Sequence, residues 1–224
     1  MSSRLKILGK VHAAMGPSRR RGSRAAAVDA RLAAHRRHVV LSRVAGKPTD
    51  QLLATMRRWL EAASADLIEI ADDKTVPATV AGYLGAHGLP LEVRIGDDGL
   101  LAGLPWESIP SLVVDHGRAD PADKASVTRA LAAVAETGTL VVASGPQNPV
   151  TLSFLPDVNI VVVRRADVVR QFEDAWERVR AGASAGGLPR TLNLISGPSR
   201  SADIGGIPVL GAHGPRRLCV VVVG

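Results

Sequence analysis

The chain has 224 residues, 46% hydrophobic and 22% charged, with a formal net charge of +7 and one cysteine, Cys219. That length buries a sizeable core without metals or disulfides. A lone cysteine excludes an internal disulfide, and also an iron–sulfur cluster held by this chain alone, which needs about four thiolates. No signal-peptide segment shows, and no apolar run nears the ~20 residues of a membrane-spanning helix, so a soluble cytoplasmic protein is expected.

The charge is unevenly placed. Residues 1–50 hold 12 Lys or Arg against 2 Asp, a balance of +10, whereas the rest of the chain holds 16 against 19, a balance of −3. Residues 3–15 place Leu5, Leu8, Val11 and Met15 at helical spacing, and Gly16-Pro17 ends the run. The arginine-rich tract 18–43, with Arg19-Arg20-Arg21 and Arg36-Arg37, attracts polyanions in principle. It lacks the interleaved aromatics that stack bases, so it reads first as a solvated connection and only second as a nucleic-acid contact. A basic N-terminal extension over residues 1–46 and an α/β domain over 47–224 are therefore expected.

Within the domain, Thr49 is placed as a helix cap after Pro48, followed by an apolar stripe of Leu52, Leu53, Met56, Trp59, Leu60 and Ala63. Leu67–Ile70 reads as a strand. Pro77 opens a helix with Val80, Tyr83 and Leu84 inward and Gly88 as its stop. Strands follow at 91–95 and 112–114. Residues 119–136 read either as one Ala-rich helix or, from Ala132, as a hairpin turning at Thr137-Gly138. A buried strand at 158–163, an amphipathic helix on Val168, Val169, Phe172, Ala175, Trp176 and Val179, and strands at 191–196 and 218–223 complete the pattern. Alternating strands and helices predict a largely parallel sheet with helices on both faces.

Two glycine-bracketed loops carry the polar groups. After the strand at 191–196 comes Ser196-Gly197-Pro198-Ser199-Arg200-Ser201-Ala202-Asp203, and Gly211-Ala212-His213-Gly214-Pro215 precedes the last strand. Ser201 reads as a helix N-cap with Asp203 in the first turn. Backbone N–H groups there, with Ser196, Gly197, Ser199, Arg200 and Gly214 around them, form a candidate cradle for a small carboxylate or phosphate; an ordinary capped turn is the alternative. His213 is a candidate base or anion ligand. The histidines have no metal-ligand spacing, and no phosphate-binding Gly-x-x-x-x-Gly-Lys loop occurs.

The stretches Ile195–Ile204 and Gly211–Pro215 resemble the C-terminal signature of the lactate utilization protein C family, the LUD domain, and Ala133–Val142 resembles that family's Ala-rich Glu-Thr-Gly-Thr segment. Gly205 stands where the family usually has Glu, and Pro146–Leu155 lacks a Gly-Arg pair often found there. The resemblance implies a ribose-phosphate-isomerase/CoA-transferase-like α/β fold, favours the hairpin reading, and marks Glu136 at its turn as a catalytic candidate. It further implies a part in oxidising L-lactate to pyruvate beside iron–sulfur partner proteins, with no cofactor bound by this chain. A freestanding acyl/CoA transferase or sugar-phosphate isomerase using Glu136, and nucleic-acid binding through the basic segment, remain as other readings.

Overall fold

The C-terminal run Leu218-Cys219-Val220-Val221-Val222-Val223 alternates between two cores. Leu218, Val220 and Val222 pack into one cluster and Cys219, Val221 and Val223 into the other. A near-unbroken valine run belongs in a parallel strand covered on both faces, and this strand forms the second position of such a sheet.

The computed structural model describes every residue except 1–2, 15–20, 38–42, 184–186 and 202–208. It divides into residues 1–40 and 41–224. The first unit carries α1 (Ser3–Ala14) and α2 (Arg21–Ala34), and every described side chain in these two helices is exposed. In the second unit come α3 (Thr49–Ala62), β1 (Asp66–Ile70), α4 (Val76–Ala86), β2 (Glu92–Ile95), α5 (Gly99–Ala102) and β3 (Val113–His116). Then follow β4 (Ala125–Arg129), β5 (Ala132–Val134), β6 (Thr139–Ala143), β7 (Val158–Arg164), β8 (Val168–Val169) and α6 (Phe172–Ala181). β9 (Leu192–Ile195), β10 (Arg200–Ser201), β11 (Val209–Leu210) and β12 (Arg217–Val223) close the chain. Val44, ahead of α3, is fully buried in the core, so the second unit takes in residues assigned by composition to the extension.

The main sheet has six parallel strands in the order β1-β12-β7-β4-β2-β3. Its α4 and α5 face holds Val80, Leu84, Leu101 and Trp106. Its other face meets α3, through Leu52, Leu53, Met56 and Leu60, together with a four-stranded sheet ordered β8-β5-β6-β9. The α/β class is as expected, with helices on both faces, but the second sheet takes part of one face.

Three local expectations are corrected. Thr49 is the first helical residue rather than the cap; Pro48 holds the cap position without a side-chain bond, and Asp50 meets the dipole in the first turn. Val168 and Val169 are extended as β8, because a 3-10 turn over Arg165–Asp167 carries the chain from β7 to the second sheet, where they pair with β5 before α6 begins at Phe172. Residues 119–136 contain no helix: Ala125–Arg129 form a central strand between β7 and β2, where sheet pairing outweighs alanine's helical propensity. The hairpin reading holds, with Ala132 opposite Val141 and Val134 opposite Thr139. Its turn is longer than read, spanning residues 135–138, with Gly138 at φ 65° against Trp59 of α3, where a Cβ would come within 2.7 Å of the Trp59 Cβ.

Candidate functional site

The two glycine-bracketed loops meet. The Ser199 N–H donates to the Pro215 carbonyl at 2.8 Å, and the Gly211 N–H donates to the Ser199 carbonyl at 2.9 Å. The Ser199 hydroxyl in turn accepts the His213 N–H at 3.3 Å. Arg200 and Ser201 pair with Leu210 and Val209 as a small ribbon. Ser201 is thus extended in the β10–β11 pairing, and the helix it is expected to cap would begin at residues outside those described. Asp203 lies outside the described residues, so it is not placed.

Between the loops is a cleft of about 250 Å³ lined by Ser196, Gly197, Ser199, Arg200, His213 and Gly214 of the predicted set, with Ser153, Phe154 and Asn159 added by the fold. Arg200 and His213 are its ionisable groups, and no carboxylate is among the described lining residues. The glycines are required by close approach. A Cβ on Gly197, which sits at φ 137°, would come 2.8 Å from the Ala63 Cβ at the end of α3, and one on Gly214 would lie 3.3 Å from the Ser199 Cβ. The Arg200 guanidinium reaches back to the Ser64 hydroxyl, just beyond α3. A row of hydroxyls ties the cleft to the hairpin: Thr137 meets Thr139 at 2.7 Å, and Thr139 meets Ser196 at 2.7 Å.

Asn159 and Leu218 line this cleft and are the second residues of β7 and β12. The cleft therefore sits at the amino end of the main sheet, opposite to the end where ligands of open α/β sheets usually bind. Beneath it lies a buried polar cluster that sequence reading did not single out. The Asn159 carboxamide N–H groups face the Ser126 hydroxyl at 3.1 Å and the Thr128 hydroxyl at 3.2 Å, and all three side chains are at most 1% exposed. Such groups persist in a core when they are mutually satisfied.

Glu136 is not brought to this cleft. Its carboxylate accepts the Arg43 backbone N–H at 2.9 Å, and its own N–H donates to the Arg170 carbonyl at 3.1 Å. Among the described residues, no group of three metal-ligating side chains occurs. Cys219 faces the α4 core, where burial pushes its thiol up to about 12, so it stays protonated at neutral pH. No helix among the described residues is long and apolar enough to cross a membrane.

Residues 122–223 match the LUD domain family. A lactate utilization protein C of Geobacillus thermodenitrificans is 32% identical over 197 residues, which covers 80% of this chain and 81% of that protein. The chain belongs to the lactate utilization protein C family. Another member, from Deinococcus radiodurans, is 39% identical over 127 residues, covering 54% of this chain and 58% of its own length. Among solved structures, a DUF162 family protein from Deinococcus radiodurans superposes with a TM-score of 0.58 at 26% identity, over 79% of this chain and 99% of that one. The LUD domain match begins just before β4 and ends within the last strand, so it takes in both loops of the cleft and the hairpin that braces it.

Proposed function

We propose that this chain takes part in lactate utilization, as a component of a system that oxidises L-lactate to pyruvate. The carrying observation is membership of the lactate utilization protein C family together with the meeting of the two signature loops in one cleft. On this reading, iron–sulfur partner proteins move the electrons, and this chain supplies a non-redox part. Its one thiol is buried and protonated, which suits that division. The cleft's charge, with Arg200 and His213 and no described carboxylate, suits a small anion or an acidic group of a partner.

The test is growth on L-lactate as sole carbon source. A non-polar deletion strain should fail, and the wild type should restore growth. Arg200→Gln should not restore it, whereas Glu136→Gln should, since the Glu136 carboxylate is spent on the Arg43 backbone. Unimpaired growth of the deletion strain, in a cell with no second lactate route, would remove the reading. Loss of function in a well-folded Glu136→Gln protein would return the chemistry to the hairpin.

A further inference from the structure

A second cleft, of about 350 Å³, lies at the opposite end of the main sheet and belongs to neither signature loop. Its position follows from topology. From β2 the chain moves outward to β3 at the sheet edge, while from β4 it moves the other way, to β7 and then β12. Connections therefore diverge between the neighbouring strands β2 and β4, and ligands of such sheets bind outside the carboxyl ends at that divergence. Arg129 is the last residue of β4, and Asp98 follows β2 at the same end. Both line this cleft, with Leu131, Ala143, Ser144 and Asn148.

The walls are fixed before any ligand arrives. Asn148 donates from its side chain to the Ala143 carbonyl at 2.9 Å, and Gly145 and Asn148 exchange both backbone hydrogen bonds at 3.1 and 3.2 Å. The Ser144 hydroxyl accepts the Thr191 N–H at 3.0 Å, which leaves its own O–H to donate. Gly96 lies flush on the Gln147 carbonyl, where any Cβ would overlap the oxygen. The Arg129 guanidinium touches Asp98 through one nitrogen at 3.5 Å, while the other Asp98 oxygen caps α5 at Leu100 and Leu101. One nitrogen of the guanidinium thus faces a fixed carboxylate, and its remaining N–H groups have no partner among the described residues. A planar fork held this way matches a carboxylate bidentately. Asp98 already balances one charge, so a singly charged acid fits better than a dianionic phosphate.

We infer that the crevice between the carboxyl ends of β2 and β4 is a binding site for a small monocarboxylate, with Arg129 taking its carboxylate, Asp98 positioning Arg129, and the Ser144 hydroxyl a second donor. The inference stands independently of the proposed function, since it concerns binding to the isolated chain and not growth.

The test is isothermal titration of the full-length purified chain with L-lactate, pyruvate, acetate and inorganic phosphate as probes. At least one of the three carboxylates should bind saturably. Arg129→Gln should weaken it by at least ~10-fold, the scale of a lost charge-assisted pair. Arg129→Lys keeps the charge and spares the fold but loses the fork, and it should weaken binding by a smaller factor. Arg58→Gln, at an exposed position of α3 outside both clefts, should leave the affinity unchanged. The inference is overturned if no carboxylate saturates, if both Arg129 variants bind like the wild type, if Arg200→Gln removes the binding instead, or if phosphate binds more tightly than every carboxylate.

Discussion

The two ends of the main sheet differ in what makes them sites. At the amino end, the cleft is written into local sequence: two glycine-bracketed loops with Ser196, Gly197, Ser199, Arg200, His213 and Gly214 close on each other through backbone hydrogen bonds. At the carboxyl end, the cleft is written into topology. Arg129 and Asp98 stand 31 residues apart, and only the adjacency of β2 and β4 joins them. A motif marks the first and a strand order marks the second, and neither cue would have found the other site.

The sharpest way to break the comparison is to disturb one end alone. Gly96→Ala puts a Cβ into the Gln147 backbone carbonyl, which cannot rotate aside. A loss of about 3 kcal/mol is expected, the upper part of the overpacking range, together with loss of carboxylate binding at the Arg129 cleft. Denaturant unfolding and titration calorimetry on one sample check both. A fall in stability with Arg129 binding intact would show that the 144–148 loop does not shape the cleft.

The matching disturbance at the amino end is Gly197→Ala. It combines φ 137° with a 2.8 Å approach to the Ala63 Cβ, and about 2 kcal/mol is expected to be lost, typical of one strained backbone position. The clashing partner is a single methyl, so Ala63→Gly in the same chain should recover part of the loss. A double-mutant cycle separates the two causes. Zero coupling would assign the whole cost to the backbone angle and none to packing on α3.

The Arg94–Asp123 pair provides a reference away from both clefts. Arg94 of β2 holds the Asp123 carboxylate with two bonds, at 2.9 and 3.0 Å, and Asp123 is 16% exposed. The guanidinium holds Asp123 below the usual carboxylate range. With the folded value depressed, the stability from the pair is fully present above the unfolded carboxylate pKa of ~3.9 and is lost as pH falls through the folded value. Asp123→Asn should therefore cost about 2 kcal/mol at neutral pH, and the difference from wild type should shrink steadily in acid below that range. A difference that stayed constant with pH would mean that shape, not charge, holds this contact.

What was legible in the sequence follows the same division. β7 and β12 were readable because strands buried on both faces spell long apolar runs, and their bounds moved by no more than a residue. The hairpin was readable only with the family segment in hand, since Ala132–Glu136 alone favours helix. β4 was missed because Ala-Ser-Val-Thr-Arg has small polar residues at Ser126 and Thr128. These residues point into the core, where Asn159 on the neighbouring β7 satisfies them. No local pattern announces a partner 33 residues away. Ser196, Gly197, Ser199, Arg200, His213 and Gly214 come together in one cleft because all lie in two glycine-bracketed loops visible in the sequence, whereas the β10–β11 pairing is not legible, since Val209-Leu210 lies beyond two glycines and a proline that carry no strand signal. Ser153 and Phe154 enter the site from the short turn that precedes β7, and Asn159 from β7 itself, where it is one polar residue in an apolar run.

A smaller effect tests the brace between hairpin and cleft. Thr139 is 4% exposed and its hydroxyl sits between those of Thr137 and Ser196. Thr139→Val keeps the shape and removes both hydrogen bonds, so a loss of about 1 kcal/mol is expected. Hydrogen exchange should rise in the Ser196–Arg200 loop and stay unchanged in residues 144–148. Equal protection at both ends would show that the hydroxyl row does not couple hairpin to cleft.

The smallest stability effect carries the largest functional one. Arg200 is exposed, and its described side-chain contact is the Ser64 hydroxyl. Arg200→Gln should change unfolding free energy by less than about 0.5 kcal/mol, as surface substitutions usually do. If Arg200 were there to pin the loop to α3, Gln, which can also donate to Ser64, would leave growth on lactate intact. If its charge is what the cleft presents to an anion, growth fails while the protein stays folded and the Arg129 cleft still binds carboxylate. The pair of readouts, stability unchanged and growth lost, is available only to a residue whose task is recognition.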